Sequence, residues 1–170
     1  MMNLEDQLLL SPILIINNML LPSISPNAVI TTIGPIIFNK VVCDLGCGSG
    51  EFMQGLQNAG AKKVIGVERL KELCDKASNK GFDVINDDIV TMELPFADIY
   101  YDWTPLPSAL DVIDKIKDAI VIVGNMPHIN NELDKYEGIR LNIKHDERNI
   151  EEIFQITIID KRNKLIKINE

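Results

Sequence analysis

The segment KVVCDLGCGSGEF, Lys40 to Phe52, restricts the fold more than any other part of the chain. It begins with a β-branched apolar run, Lys40 to Leu45, bounded by glycine, which suits a strand buried on both faces. Gly46, Gly48 and Gly50 then form a turn with access to positive φ and no Cβ between main chain and ligand. A helical stripe of Phe52, Leu56 and Ala59 follows directly and stops at Gly60. Strand, bare turn and helix in that order predict the first half of a βαβ unit.

The alternation continues downstream. Val64 to Val67 reads as a second strand, and Leu70, Leu73, Cys74 and Ala77 as a helix stopped at Gly81. Phe82 to Ile85 and Ala97 to Tyr101 are the third and fourth strands. Ser108 caps a helix whose inner face is Leu110, Ile113 and Ile116, and Ala119 to Val123 is the fifth strand. This order predicts an α/β fold with a mostly parallel sheet. The tail differs: Phe154 to Ile159 alternates, Lys161-Arg162-Asn163 turns the chain, and Leu165 to Ile168 alternates again. An antiparallel hairpin should therefore finish the sheet. Between residues 125 and 150 the signals are a short helix around Asn131 to Tyr136 and a strand at Ile139 to Ile143.

Upstream of the glycine turn, Ser25-Pro26 is an N-cap with a first-turn proline. Val29, Ile30 and Ile33 recur at helical spacing, which predicts a helix from about Pro26 to Ile33 ended by Gly34-Pro35. Leu8 to Ile16 (LLLSPILII) predicts an amphipathic helix packed on the domain, on a second subunit of a homodimer, or over the site as a lid. Residues 1–24 are thus set apart as a helical segment and residues 25–170 as one domain, a size that 170 residues with 46% hydrophobic content supports. Glu5 and Asp6 stand where a signal peptide carries positive charge, and Asn17 and Asn18 end the run below spanning length, so the segment predicts neither export nor a membrane span.

A net charge of -8 argues against a nucleic-acid partner, since such binding rests largely on Lys and Arg. Cys43, Cys47 and Cys74 have neither CxxC spacing nor paired histidines, which predicts a reduced cytoplasmic protein without a metal site. Each is a core residue by its place on a strand, in the turn or on a helix stripe.

Two classes of ligand use such a turn. Dinucleotide folds take G-x-G-x-x-G with a pyrophosphate on the helix N-terminus, but the sixth position from Gly46 is Glu51, whose carboxylate would repel it. Asp44, directly before the turn, suits a cation. The form Asp44-Leu45-Gly46-Cys47-Gly48-Ser49-Gly50 resembles the first motif of the class I, seven-strand, S-adenosylmethionine-dependent methyltransferases. That resemblance implies a three-layer αβα Rossmann-like fold whose seven-stranded sheet ends in an antiparallel hairpin, with S-adenosylmethionine bound and S-adenosylhomocysteine left. It implies that Glu68, 24 positions after Asp44 (68 minus 44), takes the ribose hydroxyls beside Arg69, and that Asp88 accepts from the adenine amine with Ile89 against the ring.

The acceptor should be met beyond the fourth strand, at Tyr100-Tyr101-Asp102-Trp103-Thr104-Pro105. These residues depart from the D/N-P-P-Y/F motif of adenine and some glutamine N-methyltransferases. The stretch ADIYYDWTPLPSALDVIDKIKDAIVIV, together with a helix starting 18 positions before Asp44 (44 minus 26), more resembles the small seven-strand protein-lysine methyltransferases. On that resemblance the acceptor is a protein lysine or another amine. Asp102 would hold a cationic amine, Trp103 or Tyr101 would flank it, and Asp98 would be structural near the glycine turn. Core packing explains Tyr100, Tyr101 and Trp103 equally well, and loop exposure explains His128 and His145. A small-molecule methyltransferase and a catalytically silent S-adenosylmethionine-binding subunit are the alternatives.

Overall fold

The computed structural model describes residues 13–16, 19–22, 26–103, 109–124, 130–144 and 153–162. The strands are β1 (Ile13–Ile16), β2 (Met19–Pro22), β3 (Val41–Leu45), β4 (Lys63–Val67), β5 (Asp83–Ile85), β6 (Ile99–Asp102), β7 (Ile120–Gly124), β8 (Ile139–Lys144) and β9 (Ile153–Asp160). The helices are α1 (Pro26–Ile37), α2 (Glu51–Asn58), α3 (Lys71–Asn79), α4 (Ala109–Lys115) and α5 (Asn130–Leu133).

Seven strands form one sheet in the order β5-β4-β3-β6-β7-β9-β8. The first five are parallel, and β9 runs antiparallel to both β7 and β8. Strand order reverses between β3 and β6, so the loops after these two strands diverge and leave a crevice at their carboxyl ends. β3 and β7 are buried along nearly their whole length, as expected of parallel strands with helices on both faces. On one face Val42, Ile99, Tyr101 and Ile122 pack against Val29, Ile33 and Ile37 of α1 and Met53 and Leu56 of α2. On the other, Cys43, Tyr100, Val121 and Val123 pack against Leu110 and Ile113 of α4 and Leu133 of α5. The three-layer αβα arrangement is as expected.

Three local expectations need correction. β1 and β2 form an antiparallel hairpin with Ile16 opposite Met19, where the sequence predicts helix; residues 1–12 lie outside the described residues. Four-residue apolar runs joined at Asn17-Asn18 satisfy main-chain groups by pairing, and periodicity alone does not separate such a run from a buried helix. α1 does not stop at Gly34-Pro35 but runs on to Ile37. Val29, Ile33 and Ile37 lie one turn apart on the buried stripe, and the burial of Ile37 outweighs the hydrogen bond that Pro35 cannot donate.

The terminal hairpin is also a different one. β9 has both edges occupied, by β7 and β8; Leu165 to Ile168 lie outside the described residues. The sheet still ends in an antiparallel hairpin, built from the strand read at Ile139 to Ile143 and the one read at Phe154 to Ile159. Among the described residues no helix is long and apolar enough to cross a membrane.

Candidate functional site

The glycine turn lies across the end of β4. The Gly46 and Cys47 amides both donate to the Val67 carbonyl, at 2.8 and 3.1 Å. Gly46 (φ 76) and Gly48 (φ 56) take positive φ, and a Cβ built on either would meet nothing within 4 Å. Main chain is therefore presented to open space at these two positions. Gly50 also takes positive φ (85) and has a further reason to be glycine: its Cβ would stand 2.8 Å from the Phe82 ring and 3.2 Å from Ala77. It is a packing residue between α2 and the start of β5, not part of the open surface.

Glu68 is the first residue after β4, and only 8% exposed. One oxygen accepts from the Gly48 amide at 3.0 Å and the other from the Leu70 amide at 2.7 Å. The carboxylate thus fixes the glycine turn to the entrance of α3, and each oxygen keeps a second lone pair for a ligand donor. Its own main chain is held from β5, with the Glu68 amide donating to the Ile85 carbonyl and the Asn86 side chain donating to the Glu68 and Arg69 carbonyls. Asn86 was not singled out in the sequence, because a lone asparagine after a strand has no motif around it.

Asp88, after β5, is half-buried and accepts the Val90 amide at 2.9 Å, which shapes the turn that carries Ile89. Arg69 is exposed, 3.7 Å from the Asp88 carboxylate. The acids of β3, β4 and β5 therefore stand at one end of the sheet in strand order. The start of α2 is occupied by the chain's own acid: Glu51 accepts from the Ser49 hydroxyl at 2.6 Å and from Lys80 at 2.7 Å. Partial burial pushes Glu51 up, yet the bonds from Lys80, Ser49 and its own amide outweigh this and hold its carboxyl below the usual range. A pyrophosphate at this helix terminus would meet the Glu51 carboxylate, which argues against the pyrophosphate reading.

Asp44 ends β3 opposite Gly66 of β4 and Tyr101 of β6. It is 3% exposed, and its Oδ2 has no hydrogen-bond partner among the described residues. Burial foremost, then the nearby Asp102 and Glu68 carboxylates, push its carboxyl up to about 8. Gly66 is glycine because a Cβ there would lie 2.5 Å from the Cys47 sulfur and 2.9 Å from that of Met53. Cys47 and Met53 are thus packed beside Asp44. All three cysteines are buried and unbridged.

The acceptor candidates separate. Tyr101 is 2% exposed and stacks on Phe52 with ring centroids 4.3 Å apart, so one of its faces is covered and it belongs to the core. Asp102 is also buried, at the carboxyl end of β6. Trp103 is half-buried and crosses the end of β7, where a Cβ on Gly124 would come within 2.2 Å of its carbonyl oxygen. A glycine at position 124 therefore leaves room for the Trp103 main chain, a dependence between neighbouring strands far apart in sequence that no local pattern carries. Asp98 is structural but stands at the other end of the strand: it accepts the Val41 amide at 2.8 Å where β3 begins, far along β3 from the glycine turn. His128, His145, Thr104, Pro105 and Ser108 lie outside the described residues.

Comparison with known proteins agrees with this geometry. Solved structures with the same fold include a Pyrococcus horikoshii protein suggested to be an RNA methyltransferase, at 24% identity and TM-score 0.56, covering 79% of this chain and 81% of that one. Another is the magnesium protoporphyrin IX methyltransferase of Synechocystis, solved with S-adenosylmethionine bound, at 16% identity and TM-score 0.61, covering 80% of this chain and 77% of that one. A third is the N-methyltransferase NodS of Bradyrhizobium japonicum, at 10% identity and TM-score 0.60, covering 79% and 92%. No curated protein matches the chain in sequence. The family model for FtsJ-like methyltransferases matches residues 29–149, which takes in α1, the glycine turn, the strand-end acids and most of the sheet, and the chain belongs to the FtsJ-like methyltransferase family.

Proposed function

We propose that the carboxyl ends of β3, β4, β5 and β6 bind S-adenosylmethionine and direct its methyl group to an amine, of a protein lysine or of a small molecule. The observation that carries this reading is the succession of Asp44, Glu68 and Asp88 along three neighbouring strand ends beside open main chain at Gly46 and Gly48. A ligand with two cationic groups, a ribose and no phosphate fits acids and bare backbone better than any phosphorylated cofactor does.

On this reading Leu45, Gly46, Cys47 and Gly48 supply main chain against the methionine portion, and Glu68 accepts from the ribose hydroxyls with the lone pairs that Gly48 and Leu70 leave. Asp88 and Ile89 meet the adenine, and Arg69 keeps Asp88 in place. Gly50 supports the turn from behind. When bound, the donor supplies a methyl group on a positively charged sulfur. The chain's task is then to align a neutral nucleophile in line with that carbon and to exclude water. Asp102 would attract the acceptor as an ammonium ion, and Trp103, packed against the core cluster that contains Tyr101, would offer its face. The acidic chain argues for a cationic acceptor and against RNA, whose phosphates it would repel. Three buried free thiols suit a cytoplasmic setting.

Incubation of cell extract with the protein and methyl-labelled S-adenosylmethionine tests the acceptor. Label in a protein band or a small amine is expected; label confined to RNA would overturn the amine reading. Tight donor binding with no labelled product in any fraction would mark a silent binding subunit.

A further inference from the structure

We propose that in the ligand-free site the buried Asp44 carboxyl holds a proton, and that binding of the cationic methyl donor expels it, so that donor uptake is a proton exchange. The inference rests on the donor-site reading above and adds to it a linkage with pH.

Three buried carboxyls meet here: Asp44 at the end of β3, Asp102 at the end of β6 and Glu68 after β4, at 3%, 6% and 8% exposure. Both Glu68 oxygens face N–H donors from the main chain. Asp44 has one oxygen, fully buried, with no partner among the described residues. The other titratable groups around it are Tyr101 of β6, Cys43 of β3 and Cys47 of the turn, each neutral, their protons held on by burial first and by the acid cluster second. α1 has no charged residue in its sequence, and Glu51 of α2 is committed to Ser49 and Lys80. Among the described residues, the groups whose charge pushes the Asp44 carboxyl up are Asp102 and Glu68.

An uncompensated carboxylate in such surroundings is costly, and like-charged neighbours add to the cost. With its carboxyl pushed up to about 8, Asp44 is mostly protonated at neutral pH. The arrival of a sulfonium and an ammonium reverses the balance. One carboxyl O–H bond breaks, its proton passes to the solvent, and the carboxylate left behind faces the ligand's positive charge. A positive charge leaves as one arrives, so Asp44 is never left ionised without a compensating charge.

Isothermal titration calorimetry with S-adenosylmethionine, in pairs of buffers differing in ionisation enthalpy, counts that proton. The useful range is from about pH 6 to about pH 7.5, below the titration of the ligand's own α-amine at about 7.7 to 8.0. Close to one proton released per donor, with affinity rising toward tenfold per pH unit, is the expected result. Asp44→Asn should bind more weakly, release no proton and show a flat profile. Should that variant fail to fold, Asp102→Asn serves: without its negative neighbour Asp44 titrates lower, and less proton is released at the upper end of the range. Donor binding by the unaltered protein without proton release, or full release from Asp44→Asn, overturns the proposal. Absence of binding by either S-adenosylmethionine or S-adenosylhomocysteine at every pH overturns the donor-site reading itself, and the proposal with it.

Discussion

Asp44 and Asp98 are the same residue type, placed at opposite ends of one pair of neighbouring strands. Asp98 accepts the Val41 amide at 2.8 Å, while its main-chain N–H and carbonyl bond to Val41 and Ile120. It joins the starts of β3, β6 and β7 and asks nothing of a ligand. Asp44 is more deeply buried, lies among other acids, and has an oxygen without a partner. One aspartate is satisfied by the fold; the other, on the reading proposed above, is satisfied by the ligand. Polar groups left wanting inside a protein mark where it expects company.

The largest effect expected from breaking this contrast comes from Glu68→Ala, which removes an acceptor serving both the turn and the proposed ribose contact. Charge-assisted hydrogen bonds of about 1.5 to 3 kcal/mol imply a loss of roughly ten- to a hundredfold in donor affinity. Because Gly48 and Leu70 lose their partner too, the melting temperature should fall, and calorimetry beside thermal melting reads both. Unchanged donor affinity in a folded variant would remove Glu68 from the site.

Next in size, Asp98→Ala should lower stability by about 1 to 3 kcal/mol, by stranding the Val41 amide, while leaving donor affinity alone. Chemical denaturation and calorimetry give the two numbers; a loss of affinity instead would mean that the two ends of the sheet are energetically coupled.

Asp44 predicts a pH dependence of the opposite kind. Its carboxyl titrates near 8 in the folded state against about 3.9 when unfolded, so the folded chain holds a proton that the unfolded chain gives up. The stability it contributes is full below about 4 and is lost as pH rises through 8. The ligand-free protein should therefore melt lower at pH 8 than at pH 6, and Asp44→Asn should flatten that slope while weakening donor binding. A steep slope surviving in the variant would assign it to other groups.

The smallest effect concerns Trp103. Being half-buried, Trp103→Ala should cost less than the 3 to 5 kcal/mol typical of fully buried aromatics. It should slow methyl transfer with S-adenosylhomocysteine affinity nearly intact. Normal activity per folded molecule would make Trp103 a packing residue only.

What the sequence made legible follows from how local each cause is. The central strands, the helices after Gly50 and Leu70, and the acids at strand ends are set by short-range patterns: apolar runs, glycine stops and the spacing from Asp44 to Glu68. Where tertiary packing overrode the local rule, the reading failed. Pro35 lies inside a helix because Ile37 is buried against strands that are remote in sequence, which no neighbouring residue announces. The division of labour within the turn, with Gly46 and Gly48 open and Gly50 against Phe82, is likewise invisible in GCGSG. In the sequence Tyr101 reads equally well as a ring flanking the acceptor or as a core residue, which only the stacked Phe52 ring distinguishes, and Gly124 carries no signal for the Trp103 carbonyl that crosses it.

The position of β9 has a consequence for the order of assembly. Among the described residues β8 pairs within the sheet with β9 alone, and β9 arrives after it in the chain, so β8 has no strand to pair with until its successor exists. The five parallel strands can be laid down as their crossovers close, but the last two must zip together as a local hairpin and add to the edge of β7 in one event. In pulse-labelling hydrogen exchange during refolding, amides of β8 and β9 should gain protection together; protection of β8 first would refute this order.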